Sequence, residues 1–378
     1  MIYLDNAATT YPKPLSVRKA VDNALQKYGA NPGRAGHDMS LATAEEIYKC
    51  RVAATELFNA PGPECVAFTL NCTHAVNYVL KGLLKPGDHV VTSCLEHNAV
   101  MRPLQALTQN GVTFTAVPVI PGNNDETVDS FRKAITSNTK LIACTHASNV
   151  WGIRLPVERI AALGHQYGIP ILVDCAQTAG VLPIDMKEYG LDYLCIAGHK
   201  GLYGPMGTGM LITANGSELA TIIEGGTGTN SISLEQPPTM PDRLESGTQN
   251  VSGIVGLRAG IEYVKKRTPG LIFKHEMELI QYAYQELSKR KGVILYTEKP
   301  ADPYFVPVLS FNIGDNPSEV TAQKLNAHGI SVRAGLHCAP YAHEYMGTTQ
   351  QGTVRICPSD FSNLNEMRSF LFTVSKII

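Results

Sequence analysis

Lys200 stands in the segment AGHKGLYGP, behind an apolar run and among Gly198, Gly201 and Gly204. Glycines permit sharp turns, and a lysine held at such a strand end suits Schiff-base chemistry with a carbonyl group that needs room to approach. An arbitrary loop lysine, by contrast, is usually a solvated surface residue. Asp174 closes the run IPILVD. A carboxylate beside apolar sheet is costly unless paired. A protonated pyridine nitrogen is one such partner, and the pairing turns the ring into an electron sink. The plainer alternative is a helix N-cap, because a helix-compatible run follows.

Further polar residues gather after the other apolar runs. Asn71, Cys72, Thr73 and His74 lie between a strand-like run and a helix-like one, where free amides and hydroxyls suit a phosphate or a simple cap. His97 follows another run and suits ring stacking or proton transfer, or a solvated loop. Near the end, RAGLHCAP carries Arg333, His337 and Cys338, and GTVRI carries Arg355. Neighbouring Arg and His favour a thiolate, and an arginine fork can clamp a carboxylate or make an ordinary surface ion pair.

The elements that must position these residues are legible as an alternation. Strand candidates fall at 66–70, 89–93, 114–118, 141–145, 170–174, 193–197 and 209–213. Helical spacing lies between most of them, at 75–84, 100–109, 130–135 and 157–167. Alternation of this kind predicts an α/β fold with an open, mostly parallel seven-stranded sheet, whose ligands collect at the carboxyl ends of the strands. After the polar stretch 236–249 the pattern changes to helices at 252–266 and 273–289 and strands at 293–296 and 308–312. The expected division is a large domain over 15–250 and a smaller α+β domain over 251–378, to which residues 1–14 return.

Composition excludes several classes. The 378 residues carry 32 Lys plus Arg against 33 Asp plus Glu, without the basic excess that a nucleic-acid partner demands. No apolar run approaches the roughly 18 residues needed to span a bilayer, and the first residues lack a signal-peptide pattern, so a cytoplasmic protein without a membrane partner is expected. The nine cysteines form no C-x-x-C pair, so structural metal is not expected and most thiols should be reduced core residues.

Taken in order, YLDNAATT, NPGRAGH, EHNAV, SNVWG, VDCAQ, AGHKGLYGP, ESGTQN, RAGLHCAP and GTVRI resemble the class V branch of the pyridoxal-phosphate enzymes of fold type I. Within that branch they resemble the cysteine desulfurases and selenocysteine lyases. The resemblance implies pyridoxal 5'-phosphate bound covalently to Lys200, with Asp174 at the ring nitrogen and His97 stacked on the ring. It places Gln177 and Asn149 around the ring hydroxyl and the substrate. Cys72, Thr73 and His199 would hold the phosphate, Thr248 would reach the phosphate of the other subunit of a homodimer, and Arg355 would bind the substrate carboxylate. Cys338 matches the persulfide-forming cysteine, on a short connection like that of the second group of desulfurases. The implied activity turns L-cysteine into L-alanine and passes sulfur to an acceptor protein, as in iron–sulfur cluster assembly. A selenocysteine lyase, or another class V lyase or aminotransferase, is the alternative. The loop Asn71-Cys72-Thr73-His74 stands where Gly, Thr or Ala, Thr and Glu are frequent, and Leu336 stands where a second His is common.

Overall fold

The computed structural model describes residues 1–32 and 36–378 and, at Ser217, the backbone alone; Gly33-Arg34-Ala35, the centre of the NPGRAGH segment, lies outside the described residues. The chain opens with β1 (Ile2–Tyr3), α1 (Leu15–Lys27) and α2 (Asp38–Phe58). An alternating series follows: β2 (Val66–Thr69), α3 (Cys72–Leu83), β3 (His89–Ser93), α4 (Asn98–Thr108), β4 (Thr113–Val117), α5 (Asn124–Ala134), β5 (Thr139–Thr145), α6 (Val157–Gln166), β6 (Ile171–Asp174), β7 (Tyr193–Ala197) and β8 (Gly209–Thr213). The last part holds α7 (Val251–Arg267), α8 (Pro269–Leu287), β9 (Val293–Leu295), β10 (Leu309–Ile313), α9 (Ser318–Ala327), β11 (Ile330–Ser331), β12 (Arg333–Gly335), α10 (Pro340–Tyr345), β13 (Thr353–Ile356) and α11 (Leu364–Ile377).

The seven strands β2 to β8 form one sheet in the order β2-β8-β7-β6-β5-β3-β4. Only β8 runs antiparallel to its neighbours. Side chains on a strand alternate between faces, and a sheet covered on both sides buries both sets. On β6, Ile171 and Val173 join a core shared with Phe58 of α2, Ile160 of α6 and Leu257 of α7. Leu172, between them, joins the opposite core with Val79 of α3 and Leu104 of α4. This double burial explains why the runs read as continuous apolar segments.

A second sheet, antiparallel, runs β12-β13-β10-β9, and β1 pairs in parallel with β11 beside it. Leu309, Phe311, Val354 and Ile356 of this sheet pack with Ile280 of α8 and Phe370 and Leu371 of α11. Helix α7 lies instead on the large-sheet side, where Ile254, Leu257 and Ile261 share its core.

Helix starts differ from the sequence expectation for local reasons. Helix α3 begins at Cys72, three residues earlier than its apolar spacing suggests, because the Asn71 side chain accepts the His74 N–H and caps it. Helix α5 begins at Asn124, capped by Asn123, although its first turn carries the acidic residues Asp125 and Glu126 rather than an apolar stripe.

Candidate active site

The carboxyl ends of β2, β3, β5, β6 and β7 meet the loop after β12 around a cavity of about 230 Å³. Its walls include Cys72, Thr73, His97, Asn149, Asp174, Gln177, His199, Lys200, Cys338 and Arg355, so ten of the eleven site residues expected from the sequence converge there.

Asp174 is the last residue of β6, in register with Thr145 of β5 and Cys195 of β7. It is 4% exposed. Its Oδ1 accepts the Ala176 N–H at 2.8 Å and the Cys72 S–H at 3.2 Å, a satisfied arrangement on one oxygen. The Cys72 thiol is thereby unavailable as a phosphate ligand. Burial, reinforced by Asp174, pushes it well above the usual thiol range. What this loop offers an anion is the backbone: the first N–H groups of a helix have no intrahelical partner, and Cys72 and Thr73 open α3.

Lys200 sits in the turn after β7, closed by Tyr203 N–H to Lys200 O at 2.8 Å and Gly204 N–H to Gly198 O at 2.8 Å. The glycines here serve the turn itself. A Cβ on Gly201 would lie 2.5 Å from the Ala179 carbonyl oxygen, and one on Gly204 would lie 2.8 Å from that of Gly198. They let the turn pack on neighbouring backbone, the sharp-turn role that glycine permits. Burial holds the Lys200 ammonium below the ordinary lysine range, and Asp174 pulls the other way. Within the described residues Lys200 Nζ makes neither a hydrogen bond nor an ion pair, so it is free to react.

His97 caps α4, its Nδ1 accepting the Ala99 N–H at 2.9 Å, which leaves the ring proton on Nε2. Burial lowers its pKa to about 4. His199 is likewise lowered to about 4 by burial, with Lys200 and Lys13 adding to the effect, and its Nδ1 is buried without a partner. Gln177 Nε2 donates to the Ala7 carbonyl at 3.1 Å.

From the second sheet come Arg355 on β13 and Arg333 opposite it on β12. Arg355 is 1% exposed, which removes the surface ion pair as its role. Its Nη1 donates to Asn149 O at 2.9 Å and its Nη2 to Asp5 Oδ1 at 2.8 Å, while Nε is buried without a partner. Asn149 Nδ2 donates to His337 O at 2.8 Å and leaves its Oδ1 unpartnered.

Cys338 is the one exposed cysteine. His337 and Cys338 both adopt left-handed backbone, with φ of 50° and 58°. The turn is pinned to the large-sheet side by Asn98 N–H to Cys338 O at 2.7 Å. Arg333 Nη2 lies 3.8 Å from the Cys338 sulfur. Arg333 stands beside the sulfur, whereas the His337 ring bonds the Thr353 carbonyl at 2.9 Å and burial lowers its pKa to about 2, so it brings no positive charge.

Thr248 is the expected residue that does not reach the cavity. It is exposed, 3.4 Å from Asn31 Nδ2, on the rim of a separate hollow lined by Phe68, His74 and Tyr78. The sequence reading missed Asp5, Lys13 and Glu96. Asp5 lies within YLDNAATT and Lys13 in its turn-rich continuation, a polar density at the N-terminus that was the available signal. Glu96 is fully buried, taking the Ser93 hydroxyl and the Thr145 N–H on Oε1, and burial raises its pKa to about 8. Only its position beside His97 hinted at it.

The unpartnered Asn149 Oδ1 and His199 Nδ1, the free Lys200 amine and the open α3 N-terminus suit a phosphorylated aromatic aldehyde, so the residues present fit pyridoxal 5'-phosphate. An α/β fold with a large, mostly parallel sheet, together with the cysteine desulfurases it resembles, defines the class as fold type I. A sequence model described as aminotransferase class-V matches residues 2–367. A probable cysteine desulfurase of Methanothermobacter thermautotrophicus is 32% identical, the alignment covering 100% of this chain and 94% of the relative. One of Mycolicibacterium paratuberculosis is 34% identical, and this chain spans 55% of that longer protein. The apo cysteine desulfurase of Thermococcus onnurineus superposes with a TM-score of 0.92 at 31% identity, covering 100% of this chain and 94% of that one. The chain belongs to the class-V aminotransferase family and, within it, to the cysteine desulfurases, enzymes that depend on pyridoxal 5'-phosphate. These relatives favour the desulfurase over the selenocysteine lyase or other class V alternatives. No helix among the described residues is long and apolar enough to cross a membrane.

Proposed function

We propose that the chain converts L-cysteine to L-alanine and takes the sulfur as a persulfide on Cys338. The observation that carries this reading is the convergence of Lys200, Asp174, Arg355 and an exposed Cys338 on one cavity.

Bound pyridoxal 5'-phosphate supplies a sink for the charge that develops at the substrate Cα. Asp174, one oxygen already engaged by Ala176 and Cys72, holds the proton on the ring nitrogen. The α3 N-terminus, Thr73 and His199 hold the phosphate, and His97 covers the ring. Gln177 and Asn149 take the ring hydroxyl and the substrate. Arg355 grips the substrate carboxylate, and Lys200, kept toward its neutral form by burial, removes the Cα proton. The Cys338 thiolate, beside Arg333, then attacks the substrate sulfur. The substrate thiol gives up its proton, a sulfur–sulfur bond forms as the carbon–sulfur bond breaks with its electron pair passing to Cβ, and protonation at Cβ together with return of the proton from Lys200 to Cα completes alanine. His97, carrying its proton on Nε2, serves proton transfer at the sulfur.

In this reading residues 15–250 bind the cofactor and 251–378, with 1–14, bring Arg355 and Cys338. Thr248 completes the phosphate site of the other subunit of a homodimer, which accounts for its distance from the cavity of its own chain. A sulfur-acceptor protein drains the persulfide in the cytoplasm, toward iron–sulfur cluster assembly. The test is product analysis with L-cysteine and a thiol reductant. Alanine and sulfide in equal amounts support the reading; a keto acid without sulfide contradicts it.

A further inference from the structure

Residues 5–13 touch the site at three places. Asp5 Oδ1 accepts from Arg355 Nη2 at 2.8 Å, and the Ala7 carbonyl accepts from Gln177. At the other end the Thr9 hydroxyl and the Lys13 ammonium both reach the His199 carbonyl, at 3.1 and 2.6 Å, while the Thr10 hydroxyl donates to the Lys200 carbonyl at 3.0 Å. One short segment therefore holds both the turn that carries the lysine, on the large sheet, and the arginine, on the small one. The same segment is anchored on the small-sheet side, where Cys357 N–H donates to Leu4 O at 2.7 Å and Asn6 Nδ2 to Cys357 O at 2.9 Å.

The contacts of Arg355 show what this arrangement accomplishes. A guanidinium has five N–H donors in a rigid plane. Asn149 O and Asp5 Oδ1 fix the plane through Nη1 and Nη2, and Nε is the nitrogen left buried with no acceptor. A buried donor without an acceptor is costly, and a ligand that supplies the acceptor is correspondingly favoured. We propose that Asp5 is a positioning residue for substrate: it orients Arg355 so that the unpartnered Nε–H meets the amino-acid carboxylate, and the segment 5–13 sets that donor against Lys200. This rests on the desulfurase reading and adds to it the residue that aims the carboxylate clamp.

Loss of Asp5 should weaken ligands in proportion to their dependence on a carboxylate. L-Alanine and ethylamine differ by that group alone, so the experiment titrates each into the cofactor-loaded protein and follows the cofactor absorbance, with cofactor content and thermal midpoint measured alongside. Asp5→Ala should keep its cofactor, bind L-alanine at least about tenfold more weakly than the wild type, and bind ethylamine unchanged. Asp5→Asn, which retains an acceptor oxygen for Nη2–H, should recover most of the affinity. A loss shared equally by both amines would mark a merely structural role and overturn the inference. So would Asp5→Ala binding L-alanine within twofold of wild type, or Asp5→Asn failing to recover. A wild-type protein that binds neither amine would overturn the desulfurase reading and this inference together.

Discussion

Two thiols face one cavity from opposite sides. At the large sheet, Cys72 is buried at the first position of α3 and gives its S–H to Asp174 at 3.2 Å. Across from it, Cys338 is exposed in a left-handed turn, with Arg333 Nη2 3.8 Å from its sulfur. Burial and a neighbouring anion both oppose ionisation of the first, whereas the second stands exposed with a guanidinium beside its sulfur. The same side chain is thus a fixed hydrogen-bond donor in one place and an exposed thiol in the other, the one the proposed function makes the nucleophile. The environment supplied by each strand end, rather than residue type, divides the roles.

The sharpest way to break this division is to remove what acts before either thiol. Lys200→Ala should lower alanine formation from L-cysteine by on the order of 10^4-fold, the scale of losing a central catalytic group. Borohydride reduction and peptide mapping of the wild type should mark Lys200, and a label on another lysine would end its assignment. Cys338→Ala comes next. Sulfide release should fall on the order of 10^3-fold while the yellow cofactor is retained, because cofactor binding does not use that thiol.

Arg355→Lys should cost on the order of 2 to 4 kcal/mol in kcat/KM, since a point charge cannot reproduce a planar fork that is already anchored by Asn149 and Asp5. Unchanged kinetics would remove Arg355 from the substrate site. A smaller effect tests Glu96, the buried acid near Asp174. Burial raises Glu96 from 4.5 to about 8, so folding takes up a proton there. Stability should decline as pH rises between those values and level off above them, with a slope of at most about 1.4 kcal/mol per pH unit. Glu96→Gln should flatten that portion of the curve, as read by denaturant unfolding across pH. The smallest change is expected for Cys72→Ala. It deletes one hydrogen bond to Asp174, worth about 0.5 to 1.5 kcal/mol, so activity should stay within about tenfold of wild type, and Cys72→Ser should restore it.

How much of this could be read from the sequence follows from what fixes each feature. The inner strands of the large sheet were legible because both their faces are buried, the edge strand β4 through its β-branched and aromatic residues TFTAV, and the strand-end rule then placed Asp174, His97 and Lys200 together. The starts of α3 and α5 were not, because Asn71 and Asn123 act through single side-chain caps that apolar spacing does not register. Asp5 escaped for a different reason: its partner Arg355 lies 350 residues away in the chain, and the pairing of β1 with β11 together with the bonds of Leu4 and Asn6 to Cys357 brings the N-terminal segment to the cavity. The turn His337-Cys338 was marked by Gly335 and Pro340, but that its histidine points to Thr353 and not to the thiol depends on β13, which no local pattern encodes.

The most direct test of the division between the two thiols is mass spectrometry of the protein after brief exposure to L-cysteine without reductant. One additional sulfur on the peptide that carries Cys338, with the peptide carrying Cys72 unmodified, is the predicted result. Sulfur on the Cys72 peptide, or undiminished alanine production in Cys338→Ala, would contradict it.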